Sequence, residues 1–276
     1  MAGTAGVFTV ARGAGRALLL PLLAGLLALV PPAAAWAACL PVAGLAPGVI
    51  QASLRQAPGE GEVRLTFVGH ASFLIESPGS ATAVTDYNGV HRPPVRPDVA
   101  TMNNAHTTHF TDAPDPGIAH VLRGWAEDGR MAEHDVTVRD MRVRNVPTNV
   151  RDWSGGTRQN GNSIFVFEVG GLCIAHLGHL HHDLTDEHLA ALGVIDVLLV
   201  PVDGGFTMAQ EFMLDVIRQI RPAVVVPMHY FNPGRLQRFL DMVGGEYPAK
   251  VMEGRTVTLS RATLPWKQTI VLPGPH

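Results

Sequence analysis

Seven histidines are placed where they could share an ion. His106 and His109 occupy the window Asn104-Ala-His-Thr-Thr-His109. His176, His179, His181 and His182 fall in His176-Leu-Gly-His-Leu-His-His182, and His229 closes the apolar run Ala223-Val-Val-Val-Pro-Met-His229. Imidazole is the commonest protein ligand for transition metals. Each window lies where an apolar, β-branched run gives way to a loop. Three such loops meeting at one sheet edge would assemble a centre from ligands far apart in sequence, as zinc sites are assembled. His-x-x-His at 106/109 alone is a weak signal, since two nearby histidines are more often surface or turn residues. Gly178 permits a tight turn that turns His179 back toward the same point. His181 and His182 face solvent or support the ligands from behind.

Other residues admit chemical roles beside plainer ones. His70 ends an early strand and either lines a pocket or makes an ordinary hydrogen bond. Asp86 is a buried acceptor or the partner of a histidine. Asp203, in a Gly-rich loop, is a loop cap or a substitute carboxylate. Tyr230 is placed to donate to an oxyanion. Arg151, Trp153 and Arg158 lie in a polar stretch where arginine would grip a phosphate or carboxylate. No Gly-x-Ser-x-Gly nucleophile motif is present.

The elements that must position these residues are legible from alternation and turn signals. Strands are predicted at Val63–Val68, Ser72–Glu76 and Ala81–Thr85, a meander with short turns and hence antiparallel. Val99–Met102 leads into the first histidine window. One or two helices are predicted within 112–135, with Ile118–Trp125 the strongest segment. Strands follow at Val136–Val138, Met141–Pro147, Ser163–Val169 and Leu172–His176, with a loop over Thr148–Asn162. Next come a helix at Thr185–Leu192, a strand buried on both faces at Val194–Val202, and a helix at Met208–Ile220 capped by Thr207. That helix places Phe212, Val216, Ile217 and Ile220 on one stripe. A strand at Val224–Pro227, a helix at Gly234–Val243 and strands near 250–260 complete the chain. This order predicts an α/β (α+β) fold of two mixed sheets packed together with helices outside.

Composition narrows the function classes. Arg12 and Arg16 precede the apolar stretch Ala17–Val30, and Ala35-Trp36-Ala37 fits a signal-peptidase site. Residues 1–37 therefore read as a signal peptide, 38–60 as an extension and 61–276 as one domain. The product would be exported to the periplasm or the medium, with no stable membrane insertion after cleavage. The formal charge is −3 and becomes −5 without those two arginines, which gives no basic nucleic-acid face. The expected partner is a small-molecule substrate. The two cysteines, Cys39 and Cys173, allow one disulfide and no larger framework.

Several segments in order resemble the metallo-β-lactamase fold superfamily, particularly the branch with ascorbate-phosphate lactonase-like and phospholipase D-like hydrolases. Phe67-Val-Gly-His-Ala-Ser-Phe-Leu-Ile-Glu76 is similar to its opening strand pair, and Thr85-Asp86 to its early aspartate turn. Ala100-Thr-Met-Asn-Asn-Ala-His-Thr-Thr-His109 stands at its His-x-His-x-Asp-His motif. Ile174-Ala-His-Leu-Gly-His179 stands where a histidine, a glycine and a bridging aspartate are found. Asp196-Val-Leu-Leu-Val-Pro-Val-Asp-Gly-Gly205 and Val226-Pro-Met-His229 match the next strand and the last ligand. The resemblance implies a four-layer αβ/βα sandwich with metal at one edge. It also implies hydrolysis of an ester, lactone, amide or phosphodiester by water activated on the metal.

Three departures shape the expected site. Asn104 replaces the first histidine, Thr108 the aspartate, and His179 the bridging aspartate. Carried over by position, one metal keeps His106 and His176, the other His109 and His229, and His179 lies between. Neutral imidazole does not offset two close dications, which repel strongly. One ion is therefore expected, zinc, on three or four of His106, His109, His176, His179 and His229, with copper or nickel as the other imidazole-loving candidates. His179 and His106 are the catalytic candidates, and Asn104, Thr108, His70, Asp86, Asp203 and Tyr230 are second-layer or substrate contacts. The alternative reading is a non-catalytic protein of the same fold that binds metal or a ligand.

Overall fold

The computed structural model describes residues 56–103, 106–126, 128, 130–152 and 154–274. The expected signal peptide, most of the extension, Cys39, Asn104 and Trp153 lie outside them. Cys173 is disulfide-bonded.

Two mixed sheets stack face to face. The first has six strands: β1 (Glu62–Gly69), β2 (Ser72–Glu76), β3 (Thr82–Val84), β4 (Val99–Met102), β5 (His120–Arg123) and, from near the C-terminus, β13 (Thr256–Ser260). Their order is β13-β1-β2-β3-β4-β5. The β1–β2–β3 pairs are antiparallel, as the short turns predict, and β4 and β5 add in parallel. The second sheet contains β6 (Asp135–Val138), β7 (Met141–Arg151), β8 (Thr157–Val169), β9 (Leu172–His176), β10 (Val197–Pro201), β11 (Val224–Met228), β12 (Ala249–Val251) and β14 (Thr269–Leu272). It runs β12-β14-β11-β10-β9-β8-β7-β6.

The period of two along each strand explains the layering. Phe165, Phe167, Ile174, Val197, Leu199, Val224 and Val226 face the first sheet, where they meet Leu65, Phe73, Ile75 and Val99. The intervening Ile164, Val166, Ala175, Leu198, Val200 and Val225 face outward. Both faces are buried, which is why β10 and β11 read as unbroken apolar runs. The outer face is covered by α1 (Asp186–Leu192), α2 (Gln210–Ile220) and α3 (Pro233–Val243), through Leu192, Met213, Leu214, Val216, Ile217, Phe239 and Val243. Among the described residues no helix is long and apolar enough to cross a membrane.

Several sequence expectations are corrected. The segment Ile118–Trp125 is not a helix: His120–Arg123 forms β5, with Leu122 entering the inter-sheet core and Val121 packing on the outer side. The outer face of the first sheet is thus covered by non-helical chain carrying Tyr87, Phe110, Ile118 and Trp125. The expected loop 148–162 is mostly the tip of the β7–β8 hairpin. Thr207 does not cap α2, whose N-cap is Ala209. Phe212 leaves the predicted stripe and is exposed, with Met213 and Leu214 buried instead.

A candidate metal centre at the sheet edge

Four histidines converge at the strand ends between the sheets. The segment after β4 supplies His106 and His109, the turn after β9 supplies His179, and the residue after β11 is His229. One ring nitrogen from each lies within 4.8 Å of those of the other three. His109 Nε2 faces His229 Nε2 at 2.8 Å, and His106 Nε2 faces His179 Nε2 at 3.1 Å.

The outer nitrogens show what those facing atoms are. Buried Asp86 accepts from His109 Nδ1 at 2.5 Å, and buried Asp203 accepts from His229 Nδ1 at 3.0 Å. An ionised carboxylate only accepts, so both Nδ1 atoms carry the proton, and a neutral ring so held offers its Nε2 lone pair inward. His106 Nδ1 is hydrogen-bonded to the Thr108 hydroxyl at 2.7 Å. A cation between such nitrogens would be ligated by their lone pairs. Tetrahedral zinc with Zn–N near 2.0–2.1 Å would set nitrogens about 3.3 Å apart, a few tenths of an ångström from the spacing of these two pairs. These four residues could hold a metal ion.

Local structure fixes each ligand. The His106–His109 turn closes through His109 N–H to the His106 carbonyl at 2.9 Å. Gly178 has φ +60°, and a Cβ there would collide with the Asn103 amide and lie 2.5 Å from Asn162 Oδ1. Asn162 Oδ1 accepts the His179 N–H at 2.8 Å, so the glycine and the asparagine together aim His179 inward. His229, His70 and Asp86 all hold left-handed backbone, with φ 54°, 55° and 42°. Such conformations cost non-glycine residues of order 1–3 kcal/mol each and cluster at functional sites.

Electrostatics keeps the imidazoles available. Burial, followed by neighbouring imidazoles, lowers the pKa of His106 and His179 and pushes His109 well down. All three are therefore neutral at physiological pH, the form that ligates. Asp86 is pushed up to about 6 by burial, against the pull of His176 and the Asn103 amide. Asp203 moves the other way: although burial favours its neutral form, His229, the Thr207 hydroxyl and the Gly205 N–H hold it below the usual carboxylate range. Asp203 also accepts from the N–H groups of Phe206 and Thr207. It is both loop cap and histidine partner, but its oxygens are not among the converging atoms.

His176 is corrected as a ligand. It shares the inward-facing side of β9 with Ile174, its Nε2 donates to the Ala71 carbonyl at 2.8 Å, and its Nδ1 accepts from Gly178 N–H at 3.1 Å. Neither nitrogen is free. Tyr230 is corrected too, because it packs against the outer hydrophobic cluster. His70 does reach the centre, its ring 4.2 Å from that of His229, with Nε2 buried and unpartnered. His181 joins the Arg151 N–H to the Phe206 carbonyl.

A cleft of ≈ 370 Å³ opens on the centre. His106, His179 and His181 line it on one side, the β7–β8 hairpin on another, and Phe206 on a third. Arg151 Nη2 donates to the Gly205 and Thr207 carbonyls, and Arg158 lines the same cleft. Phe206 and Phe231 were missed by sequence reasoning. The one available signal was their position, each two or three residues past a site residue, in Asp203-Gly-Gly-Phe206 and His229-Tyr-Phe231.

Comparison with known proteins identifies the family. Residues 64–229 match the model of a family described as the beta-lactamase superfamily domain. A UPF0173 metal-dependent hydrolase of Carboxydothermus hydrogenoformans is 26% identical over 197 residues, 61% of this chain and 84% of the relative. One from Pyrococcus furiosus is 30% identical over 198 residues, again 61% and 84%. A Thermotoga maritima crystal structure, described as a Zn-dependent hydrolase of the metallo-beta-lactamase superfamily, aligns with TM-score 0.55 and 25% identity, covering 77% of this chain and all of that one.

Proposed function

This chain belongs to the metallo-β-lactamase superfamily, and we propose that it is an exported hydrolase that uses one zinc ion to cleave a small ester, lactone or phosphoester. Metal-dependent hydrolysis is the activity its relatives are named for, and this chain is a metal-dependent hydrolase of the same fold. The observation that carries the proposal is the convergence of His106, His109, His179 and His229 within 4.8 Å.

The imidazole-only inner set favours zinc over the oxygen-seeking Mg, Ca and Mn. It offers no carboxylate to lie between two dications, which favours a single ion. Such an ion, when bound, polarises a substrate oxygen and lowers the pKa of a water. The chain's own residues do the rest. Asp86 and Asp203 hold the His109 and His229 rings with their protons outward, and they set two negative charges behind the ligands. His106 and His179 border the cleft, so they are the ligands a substrate meets. Export rests on the Arg12-to-Ala37 segment.

Elemental analysis of the purified protein, with a panel of chromogenic esters, lactones and phosphodiesters, tests this reading. One equivalent of zinc and turnover on the panel are expected. Two equivalents would overturn the single ion, and bound copper or nickel would overturn zinc. Bound metal with no turnover would favour the non-catalytic metal-binding reading, which the carboxylate-free inner set motivates. N-terminal sequencing of the mature protein should begin at Ala38; an intact Met1 or Ala2 start would overturn export.

A further inference from the structure

Two phenylalanines stand over the histidine centre with more than half of each side chain in solvent. Phe206 is 55% exposed and Phe231 52%. A single exposed apolar residue is ordinary, but these two touch, with ring centroids 5.2 Å apart. Phe231 also lies 4.9 Å from His70 and 5.3 Å from His229, and Phe206 6.3 Å from His106. They form one apolar surface beside the converging nitrogens. Val150 and Phe206 both line the cleft.

Phe206 is presented rigidly. Its N–H donates to Asp203 and its carbonyl accepts from His181 Nε2. The carbonyls on either side, of Gly205 and Thr207, accept from Arg151. A loose loop tip would leave its backbone to water. This one has its backbone polar groups tied down on the inner side and its aromatic ring held out over the cleft.

We infer that Phe206 and Phe231 form an acyl-binding rim, and that the substrate is an uncharged carboxylic ester or lactone with an alkyl or aryl group next to the scissile carbonyl. The inference rests on the hydrolase reading for the reaction and narrows its substrate class toward apolar acyl groups, since the surface beside the converging nitrogens is aromatic. Hydrolysis splits the acyl C–O bond: the OH of water goes to the acyl carbon, and its proton leaves with the alcohol oxygen. The apolar group stays on the rim while the carbonyl lies over His106 and His179.

The test separates binding from turnover. Calorimetry on the protein with its native metal would measure affinity for acetate, butyrate, hexanoate and benzoate, the product class. Affinity should rise up to about fourfold per methylene, the factor that about 0.8 kcal/mol per buried CH₂ gives, until the rim is covered. In Phe206→Ala and Phe231→Ala the dependence on chain length should flatten, with metal content unchanged. Phe206→Leu should restore most of it. A rising series without ester turnover would support the rim while overturning the hydrolase reading. A flat series, with or without turnover, would overturn the rim, as would a dimer that the double alanine variant disperses.

Discussion

His109 and His229 point their Nε2 atoms at each other from different sheets, 2.8 Å apart, while each gives its outer proton to a separate buried aspartate. The negative charge that the family motif places on the metal has not vanished from this site. It stands one residue further out, on Asp86 and Asp203, and would reach a bound ion through the rings. A cation held at the four nitrogens would thereby be matched by two carboxylates behind the rings, a wiring that raises ligand basicity and fixes ring orientation.

Replacing a converging histidine and replacing His176 should therefore have opposite signatures. His229→Ala and His109→Ala should purify with less than a tenth of an equivalent of metal. His176→Ala should keep close to one equivalent but melt at lower temperature, because the Ala71 carbonyl and Gly178 N–H lose their partner, at about 1–3 kcal/mol for each buried group. Metal analysis and thermal unfolding of the three variants decide it, and loss of metal in His176→Ala would contradict the assignment.

Asp86→Asn preserves shape and removes charge. The expected result is 10- to 100-fold weaker zinc affinity, the size of effect usual for an outer partner of a ligating histidine. Chelator competition provides the measurement, and an unchanged affinity would show that the aspartate does not act through His109.

Gly178→Ala places a methyl against the Asn103 and Asn162 amides at a left-handed position. Destabilisation of about 1–3 kcal/mol is expected, with His179 displaced and metal affinity lowered. Urea unfolding and metal titration of the one variant should move together; stability falling alone would place His179 outside the ligand set.

The metal-free protein should weaken in mild acid. Burial lowers the pKa of His70 to about 3 and of His181 to about 4, and moves His106, His109, His176 and His179 in the same direction. As pH falls below the ordinary 6.5, the unfolded chain takes up protons that the folded one refuses. The stability these groups contribute is present above that pH and lost below it. Asp86, raised to about 6, works oppositely between about pH 4 and 6, but it is one group against six. Urea midpoints of the chelated protein should be clearly lower at pH 5 than at pH 7.5, and equal midpoints would refute the account.

Much of the frame was legible because alternation and apolar runs report burial directly. Strands β1, β2, β9 and β11 lie within a residue or two of their expected places, and three of the four histidine positions follow from the strand that ends before them. The failures have physical causes. Ile118, Val121, Leu122 and Trp125 fit helical spacing, yet Pro116-Gly117 and Gly124 bracket a segment too short for a helix. Toward the tip of the β7–β8 hairpin the strands carry Arg, Asn, Thr and Gly, and even the buried positions Thr148 and Asn162 are polar, so no apolar alternation marks them. His176 was misread because the residue ending a strand still obeys the strand's period of two. Its side chain follows Ile174 into the space between the sheets, and only after Gly178 reverses the chain does His179 reach the other three histidines.

Asp203 binds His229 with one oxygen and caps the loop bearing Phe206 with the other. Grip on the ion and the shape of the wall above it thus hang from the same carboxylate. A lineage drifting toward new substrates by remodelling that loop would loosen its hold on metal at the same time. In this chain, selectivity and metal retention would then be inherited together.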